Sequence, residues 1–387
     1  MTRAAPLDPV ALTRDLIRCP SVTPADGGSM DLVQHTLESL GFVCRRMRFC
    51  QIENLYARLG AARPNLCFAG HTDVVPVGDV AAWSKAPFAA DVTDGVLIGR
   101  GAVDMKSAIA AFIAATGRVL ARGAPAGSIS LLITGDEEGV AEHGTKAVVA
   151  ALAAEGEVID HCVVGEPTSS AGLGDMIKIG RRGSIGATIT VEGKQGHVAY
   201  PDRAANPLPV LVRLLARLLA RRLDEGFEGF QPSNLEVTTV DVGNAATNVI
   251  PARVTAYLNI RFNPAHTGDA LAAWLIEEAR AANEGFAGHV TVRPKISGEA
   301  FLTSPGDFTA VVAGAVRAVS GAEPQLSTTG GTSDARFIRA LCPVVEFGLV
   351  GTTMHAVDER APTAEIVALS AIYERLIDDY FKAFGGH

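Results

Sequence analysis

The sequence predicts an α/β fold in which a mixed sheet with flanking helices is interrupted by a smaller, inserted α+β domain. Three observations lead to this prediction: the chain length, the composition and a change in hydrophobic pattern along the chain. With 387 residues, the chain exceeds the roughly 250–300 residues at which one hydrophobic core stops growing, so two domains are expected. Apolar residues make up 48% and charged residues 20%, a composition that supplies large cores and argues against disorder.

Through the first half of the chain, short apolar runs alternate with longer helical patterns. The strand-like runs are NLCFAGH, SISLLITG and HCVVGEP, and the helical patterns between them are MKSAIAAFIAATGRVLARG and TKAVVAALAAEG. Strands that alternate with helices indicate parallel strands joined by crossover helices. This part of the chain is therefore expected to form the α/β sheet.

The pattern changes from Lys178 onward. The segments GRRGSIGATITVEG, SNLEVTTVDVG, ARVTAYLNIRF and HVTVRPKI read as strands, and two long helical patterns lie between them. Two-residue alternation of this kind favours a small antiparallel sheet with its helices on one face. After Ser297 the α/β pattern returns. We therefore predict an α/β domain over residues 1–180 and 297–387, and an inserted α+β domain over residues 181–296.

The charge balance and the cysteines exclude several classes of partner. The chain has 34 Lys and Arg against 42 Asp and Glu, a net charge of −8, which is the wrong sign for nucleic-acid binding. The six cysteines are scattered without a CxxC pair and are expected to be reduced. No secretory signal is visible in residues 1–21, and no apolar run approaches the ~18 residues of a membrane span. A cytoplasmic protein without a membrane partner is the expectation.

Polar residues that can bind metal ions follow the apolar strands. They are His71 and Asp73 after NLCFAG, Asp104 after LIGRGAV, Glu137 and Glu138 in GDEEG, Glu166 after CVVG, and His355 after VVEFG. Open α/β sheets bind ligands at the carboxyl ends of their strands, so these side chains are expected to share one crevice. Taken one at a time, each residue has a structural alternative as a cap or loop residue, and the acidic pair also suits a helix start.

The combined donor set favours a metal-dependent hydrolase. Two imidazoles and at least three carboxylates without thiolate suit Zn²⁺, Mn²⁺ or Co²⁺ better than they suit a structural zinc site. Two ions are plausible, because one bridging carboxylate with one His and one terminal carboxylate per ion leaves a position for water. Ions about 3.5–4 Å apart activate that water and polarise a carbonyl. Such a site hydrolyses amides or esters.

Eight motifs occur in order over most of the chain. They are GHTDVVPVGD, GRGAVDMKS, TGDEEGVAEHGT, VGEPTS, GRRGSIGATITVEGKQGHVAYP, TNVIPA, TGGTSDARF and MHAVDE. In these motifs the chain resembles the dinuclear-zinc amidohydrolases and exopeptidases, a family that includes acetylornithine deacetylase and the aminoacylases. TGDEEG together with GRRGS, GHVAYP and TNVIP is most similar to the desuccinylase branch. The resemblance implies a zinc-exopeptidase-like sheet, a dimerisation role for the inserted domain, and hydrolysis of N-succinyl-L,L-diaminopimelate to succinate and L,L-diaminopimelate in lysine biosynthesis.

The resemblance also implies a role for each polar residue of the crevice. His71 and Glu166 become terminal ligands of one zinc ion, Glu138 and His355 become terminal ligands of the other, and Asp104 bridges the two. A cis peptide bond is implied directly after Asp104.

Three further residues receive catalytic roles from the same resemblance. Asp73 orients the imidazole of His71 and strengthens it as a ligand. Glu137, which projects differently from its neighbour Glu138, acts as the general base. His197 reaches the active site of the partner subunit in a homodimer and stabilises the oxyanion.

The implied substrate carries three carboxylates, which call for positively charged and bidentate donors. The candidates are Arg181 and Arg261, with Tyr200, Asn248, Ser297, Gly331 and Thr332 as neutral donors. Many relatives have Asn where this chain has Gly351, so one side-chain contact to substrate is missing. Two alternatives stay open: another N-acyl-amino-acid deacylase of the same family, and an inactive member that serves as a binding or dimerisation protein. An inactive member would be recognised by the loss of Glu137 or of a metal ligand. All of these residues are present.

Overall fold

A computed structural model of the chain describes residues 7–386. These residues divide into two compact units. The first unit comprises the described residues of Met1–Ile179, Thr303–Ser327 and Ser333–His387, and the second comprises Gly180–Leu302 and Thr328–Thr332.

The segment before residue 180 supplies most of the first unit. Its helices are α1 (Pro9–Ile17), α2 (Ser29–Ser39), α3 (Lys106–Arg122) and α4 (Thr145–Ala154). Its strands are β1 (Val43–Phe49), β2 (Ile52–Leu59), β3 (Asn65–His71), β4 (Asp91–Thr93), β5 (Val96–Ile98), β6 (Ser128–Thr134), β7 (His161–Val164) and β8 (Met176–Lys178).

The rest of the chain forms the second unit and then completes the first. The second unit holds β9 (Gly180–Arg181), β10 (Gly183–Glu192), β11 (Gly196–His197), α5 (Leu208–Ala220), β12 (Asn234–Asp241), β13 (Val249–Ile250), β14 (Arg253–Phe262), α6 (Gly268–Asn283), β15 (His289–Gly298) and β16 (Phe301–Leu302). The first unit resumes with α7 (Asp307–Ser320), β17 (Gln325–Ser327), α8 (Ala335–Ile338), β18 (Val344–Glu346), β19 (Arg360–Pro362) and α9 (Thr363–Phe384).

An eight-stranded mixed sheet organises the first unit, in the order β1-β2-β6-β3-β7-β18-β8-β17. The central strands β6, β3, β7 and β18 run parallel to one another, whereas β1, β2 and β8 add antiparallel pairings. β3 and β6 are buried along their whole length, as strands covered on both faces must be. The α/β prediction is therefore confirmed, and the loops after the central strands open at one edge of the sheet.

The helices α3 and α9 cover the sheet through small and aromatic side chains. Residues 106–116 of α3 are buried without interruption, because its many alanines allow a close approach to the neighbouring elements. Phe68 of β3 stacks on Phe112 of α3 with ring centroids 4.4 Å apart, and Tyr373 of α9 packs edge-on against both rings. The Tyr373 hydroxyl donates to the carbonyl of Phe347 at 2.6 Å, which satisfies its buried polar group.

The second unit has its own core beneath a four-stranded antiparallel sheet in the order β12-β14-β10-β15. Burial alternates along β10, and Ile185 and Ile189 from its inner face pack with Leu214 of α5 and Leu275 of α6. The predicted α+β insert is confirmed. β12 is an edge strand, and most of its residues are exposed.

The second unit extends beyond the range 181–296 expected from the sequence, for two physical reasons. The strand β16 pairs with β9, through Phe301 opposite Arg181, so the chain stays with this unit after β15 ends. The hydroxyl of Thr328 donates to the carbonyl of Gly229 at 2.5 Å, which ties the segment 328–332 to the same unit.

Asp224 anchors several loops of the second unit. Its Oδ1 accepts hydrogen bonds from the backbone N–H groups of Gly226 (2.8 Å) and Ser233 (3.1 Å) and from the side chain of Asn263 (2.7 Å). Its Oδ2 lies 3.0 Å from Nε2 of His266. Partial burial raises the pKa of Asp224, but hydrogen bonds from Ser233, Gly226 and Asn263 outweigh burial and lower this pKa to about 2.

The low pKa of Asp224 predicts a pH-dependent contribution to stability. Because the pKa of an unfolded Asp is ~3.9, the contribution is present above about pH 4 and is lost as the pH falls towards 2. Asp224→Asn is expected to lower the free energy of unfolding at neutral pH by ~1–3 kcal/mol. Urea denaturation between pH 2 and 7 measures both effects. Asp202→Asn, a substitution at an exposed position, is the control. Equal pH profiles of stability for wild type and Asp224→Asn would contradict the prediction.

The cysteines form no disulfide among the described residues, and Cys67, Cys162 and Cys342 are buried. Burial raises the pKa of the Cys162 and Cys342 thiols well above the usual value, which keeps them protonated and unreactive. Among residues 7–386, no helix combines the length and the apolar character that crossing a lipid bilayer requires.

Candidate metal centre

The predicted ligands lie on loops that follow the central strands of the first unit. His71 is the last residue of β3, Glu138 follows β6, Glu166 follows β7 and His355 lies in the loop after β18. Asp104 comes just before α3, and its peptide bond to the next residue is cis, as the resemblance implies. Because parallel strands end at one edge of the sheet, these loops converge there.

Asp104 lies between the two histidines. Its Oδ1 is 3.2 Å from Nε2 of His71, and its Oδ2 is 3.3 Å from Nε2 of His355. Nε2 of His355 is also 2.8 Å from Oε1 of Glu138, and Nε2 of His71 is 3.9 Å from Oε1 of Glu166. One carboxylate therefore presents a separate oxygen to each imidazole.

These residues form two groups whose donor atoms lie within 4.8 Å of one another. One group is His71, Asp104 and Glu166, and the other is Asp104, Glu138 and His355. Each offers one imidazole nitrogen and two carboxylate oxygens, a donor set suited to Zn²⁺, Co²⁺ or Mn²⁺. The residues present therefore fit two divalent ions that share Asp104.

Asp73 holds both His71 and the loop that carries the paired glutamates. Nδ1 of His71 donates to the main-chain oxygen of Asp73 at 2.9 Å, which leaves Nε2 facing Asp104. The carboxylate of Asp73 accepts hydrogen bonds from the backbone N–H groups of Glu137 (3.3 Å) and Glu138 (3.1 Å). The resemblance implies that Asp73 orients the imidazole of His71. The main-chain carbonyl makes the hydrogen bond to the ring, whereas the carboxylate, 3.6 Å from Nδ1, fixes the neighbouring loop.

Glu137 lies beside the two groups without belonging to either. It forms a third group with His71 and Glu138, whose donor atoms also lie within 4.8 Å of one another. Burial raises the pKa of Glu137 well above its usual value, and the charge of Glu166 raises it further. A carboxyl group with a raised pKa can both accept and return a proton near neutral pH.

The carboxylates give the crevice a strong affinity for positive charge. Burial lowers the pKa of His71, but the hydrogen bond to Asp104 and nearby carboxylates outweigh it, so this pKa is raised well above its usual value. Hydrogen bonds to Asp104 and Glu138 raise the pKa of His355 to about 10. Burial raises the pKa of Asp104, whereas its contacts with both imidazoles outweigh burial and lower it. A divalent ion would replace the protons that the imidazoles hold.

Two buried acidic residues near the crevice were not predicted from the sequence. Asp136, at a positive φ of 74°, accepts hydrogen bonds from the backbone N–H groups of Val140, Glu142 and His143 and so shapes the loop after β6. Asp334 accepts a hydrogen bond from the hydroxyl of Thr145 at 2.5 Å. Asp136 lies in the motif TGDEEGVAEHGT and Asp334 in TGGTSDARF. Their burial arises from packing that a motif does not reveal.

The remaining predicted residues lie in the second unit. The rings of His197 and Tyr200 have centroids 5.8 Å apart, and the N–H group of Val198 donates to the carbonyl of Asn248 at 3.1 Å. The imidazole of His197 is exposed, and Tyr200 is 55% exposed.

Arg261 and Ser297 lie on the two strands that pair with β10. Arg261 of β14 stands opposite Ser184 of β10, and Ser297 lies at the bulge where β15 pairs with the same residue. Arg181 is buried, and its Nη1 donates to the carbonyl of Thr329 at 3.1 Å, within the 328–332 segment that also contains Gly331 and Thr332.

The metal groups predict a large effect of Zn²⁺ on stability. An ion that binds only the folded state adds ~2.7 kcal/mol per site at a free concentration 100 times its dissociation constant. Zn²⁺ added to chelator-treated protein is therefore expected to raise the unfolding midpoint, and Asp104→Asn is expected to remove most of this gain. Thermal unfolding measures both. Ca²⁺ prefers all-oxygen sites, so equal stabilisation by Ca²⁺ at the same concentration would contradict a site built on His71 and His355.

Comparison with known proteins gives one family and a set of close relatives. The model of peptidase family M20/M25/M40 matches residues 67–379. The protein named succinyl-diaminopimelate desuccinylase from Phenylobacterium zucineum is 72% identical over 98% of this chain and 100% of its own length. Proteins of the same name from Caulobacter vibrioides and Maricaulis maris are 69% and 59% identical, over 99% and 97% of this chain and 100% and 97% of their own lengths.

Solved structures share the fold at low sequence identity. The M20 family metallo-carboxypeptidase Sso-CP2 from Sulfolobus solfataricus has a TM-score of 0.82 at 18% identity, covering 97% of this chain and 99% of its own. The YXEP protein from Bacillus subtilis, described as a dinuclear metal binding peptidase from the M20 family, has a TM-score of 0.72 at 15% identity, covering 97% and 98%.

Proposed function

The chain belongs to peptidase family M20/M25/M40, and from this premise we propose that it hydrolyses the amide of N-succinyl-L,L-diaminopimelate to succinate and L,L-diaminopimelate. The observation that carries the chemistry is the carboxylate of Asp104, which faces His71 with one oxygen and His355 with the other. The substrate is inferred from the relatives named succinyl-diaminopimelate desuccinylase, two of which match 98% and 99% of this chain.

Two divalent ions complete this site in the proposal, Zn²⁺ foremost, with Co²⁺ or Mn²⁺ as alternatives. His71 and Glu166 would hold one ion, Glu138 and His355 would hold the other, and Asp104 would be available to both. When bound, the ions supply Lewis-acid activation of the attacking water and of the amide carbonyl.

Glu137 is the general base of the proposed reaction. Its carboxylate takes a proton from the attacking water and later gives it to the amide nitrogen, so that the C–N bond breaks and the amine leaves. Glu137 lies outside both ligand groups, but its donor atom is within 4.8 Å of those of His71 and Glu138, which supports this role. The hydrogen bonds from the N–H groups of Glu137 and Glu138 to Asp73 keep the two glutamates in place.

The proposal includes a homodimer in which His197 of the partner subunit stabilises the oxyanion. Two features of the second unit support it. The imidazole of His197 is exposed and not packed into a core, and the edge strand β12 exposes Val240, while Tyr257 of the neighbouring β14 is also exposed. An edge strand with exposed apolar neighbours suits pairing with a second copy of the chain.

The substrate carboxylates are bound, in this proposal, by residues of the second unit. The charged donors are Arg181 and Arg261, and the neutral donors are Tyr200, Asn248, Ser297, Gly331 and Thr332. The segment around Gly330 lies close to one of these donors, since a Cβ atom at Gly330 would lie 2.3 Å from Nη1 of Arg181. Glycine therefore lets the backbone approach the guanidinium closely.

A cytoplasmic location completes the proposal, and six cysteines without a disulfide agree with a reducing compartment.

A comparison of matched amides tests the proposed substrate. Purified protein with two equivalents of Zn²⁺ is assayed with N-succinyl- and N-acetyl-L,L-diaminopimelate, which differ only in the carboxylate-bearing end of the acyl group. We expect kcat/KM to favour the succinyl amide by about 10²-fold, since hydrogen bonds to a charged group contribute ~1.5–3 kcal/mol. Faster hydrolysis of the acetyl amide, or of N-acetyl-L-ornithine, would assign the chain to the deacetylase alternative.

A further inference from the structure

We propose that Glu359 is a positioning residue for the metal centre, because its buried carboxylate fastens together the two loops that carry Asp104 and His355. This inference rests on the proposed two-metal site. It concerns Glu359, the last residue of the motif MHAVDE, which has no part in the mechanism described above.

The carboxylate of Glu359 accepts several hydrogen bonds from one loop. Its side chain is 1% exposed, and its Oε1 accepts from the backbone N–H groups of Val103 (2.8 Å) and Asp104 (3.0 Å). Its Oε2 accepts from the N–H group of Gly101 (3.1 Å) and from Nη1 of Arg100 (2.7 Å). All of these donors lie on the loop that ends at Asp104, so the carboxylate fixes the backbone of the shared ligand.

The same pair of residues is linked to the loop that carries His355. Glu359 follows His355 by four residues, and its main-chain oxygen accepts a hydrogen bond from the N–H group of Gly99 at 2.9 Å. Nη2 of Arg100 reaches the main-chain oxygens of His355 and Pro76, each at 3.4 Å. The ion pair of Arg100 and Glu359 therefore joins the backbone of one ligand to the backbone of the other.

A carboxylate suits the position of Glu359 better than an amide does. A carboxylate offers two oxygens, and here both are used by N–H donors. Glutamine at this position has one acceptor oxygen, and its NH₂ group would face N–H donors of the loop. The loop would then lose hydrogen bonds and Arg100 would lose its charged partner, which is costly in a buried position. Residues that orient metal ligands in this way typically change metal affinity by 10–100-fold when mutated.

Calorimetric titration of Zn²⁺ into chelator-treated Glu359→Gln tests the inference. We expect the affinity for at least one of the two ions to fall 10–100-fold. Anomalous diffraction of Zn²⁺-soaked crystals is expected to show the larger loss of occupancy beside His355, because that residue loses its link to Arg100 whereas His71 keeps its own contact with Asp73.

Glu374→Gln is the matched control. Glu374 of α9 also pairs with two arginines of the first unit, Arg118 and Arg122, but it contacts no predicted ligand. This variant is expected to bind both ions with wild-type affinity, even where its unfolding midpoint falls. If the role of Glu359 were purely structural, Glu359→Gln would also bind both ions with wild-type affinity, as Glu374→Gln is expected to do.

Arg100→Lys decides the question if Glu359→Gln does not fold. Lysine keeps a positive charge beside Glu359, but its single nitrogen cannot also span the carbonyls of His355 and Pro76. A selective, smaller loss of zinc affinity supports the inference, and wild-type affinity for both ions overturns it. If the wild-type protein itself binds fewer than two ions, the proposed two-metal site fails and not the role of Glu359.

Discussion

Replacing Glu137 by alanine is expected to leave two metal ions bound and to slow hydrolysis by about 10²–10⁴-fold. The reason is that the two ligand groups centred on Asp104 do not include Glu137, whose donor atom lies beside His71 and Glu138. Loss of its carboxylate removes the base that takes and returns the proton, but it leaves both ligand groups intact. Metal content by elemental analysis and kcat by steady-state assay measure the two effects separately.

The neighbouring residue supplies the contrasting variant. Glu138→Ala is expected to lose one ion, because Oε1 of Glu138 is the carboxylate oxygen 2.8 Å from His355. Glu142→Ala is the control from the same loop, since its side chain is paired with Lys146 at the surface and its loss should leave both readouts unchanged. If Glu137→Ala released an ion while Glu138→Ala kept both, the roles of the two glutamates would be reversed.

Mixing two inactive variants is expected to restore activity if the site is completed across a dimer. In the proposed homodimer, Glu137→Ala chains and His197→Ala chains would each lack one catalytic group in both sites. A mixed dimer has one site in which an intact Glu137 meets an intact His197 from the other chain. We expect each mixed dimer to recover up to about half of the wild-type activity, because one of its two symmetry-related sites is complete.

Subunit exchange must be shown independently, with chains of different tags separated by affinity. Under that condition, a mixture that stays inactive would mean that His197 acts within its own chain or has no catalytic role. Full activity in the His197→Ala homodimer would mean that His197 has no catalytic role.

The central sheet was predictable because its strands are short, apolar and bounded by Gly or Pro, whereas its edges were not. β1 carries Arg45, Arg46 and Arg48 among its apolar residues, so this edge strand has no clear apolar pattern. β17, the strand at the other edge, has three residues, too few to show a period. The segment 328–332 belongs to the second unit through a hydrogen bond from Thr328 to Gly229, a contact between distant positions that no local pattern encodes.

The candidate ligands were found because their residue types recur after successive strands, and the geometry then depended on packing. The sequence alone does not show that each oxygen of Asp104 faces a different imidazole. It does not show that the main-chain oxygen of Asp73, and not its carboxylate, holds His71. The sequence indicates no role for Glu359 beyond its place in a motif, because the proposed role depends on backbone N–H donors more than 250 positions earlier in the chain.

Anomalous diffraction at the zinc absorption edge tests the central claim, the sharing of Asp104 between two ions, most directly. Crystals grown with two equivalents of Zn²⁺ are expected to show two peaks about 3.5–4 Å apart. One peak should contact His71 and Glu166, the other Glu138 and His355, and Asp104 should contact both. A single peak, or two peaks of which only one contacts Asp104, would contradict the account.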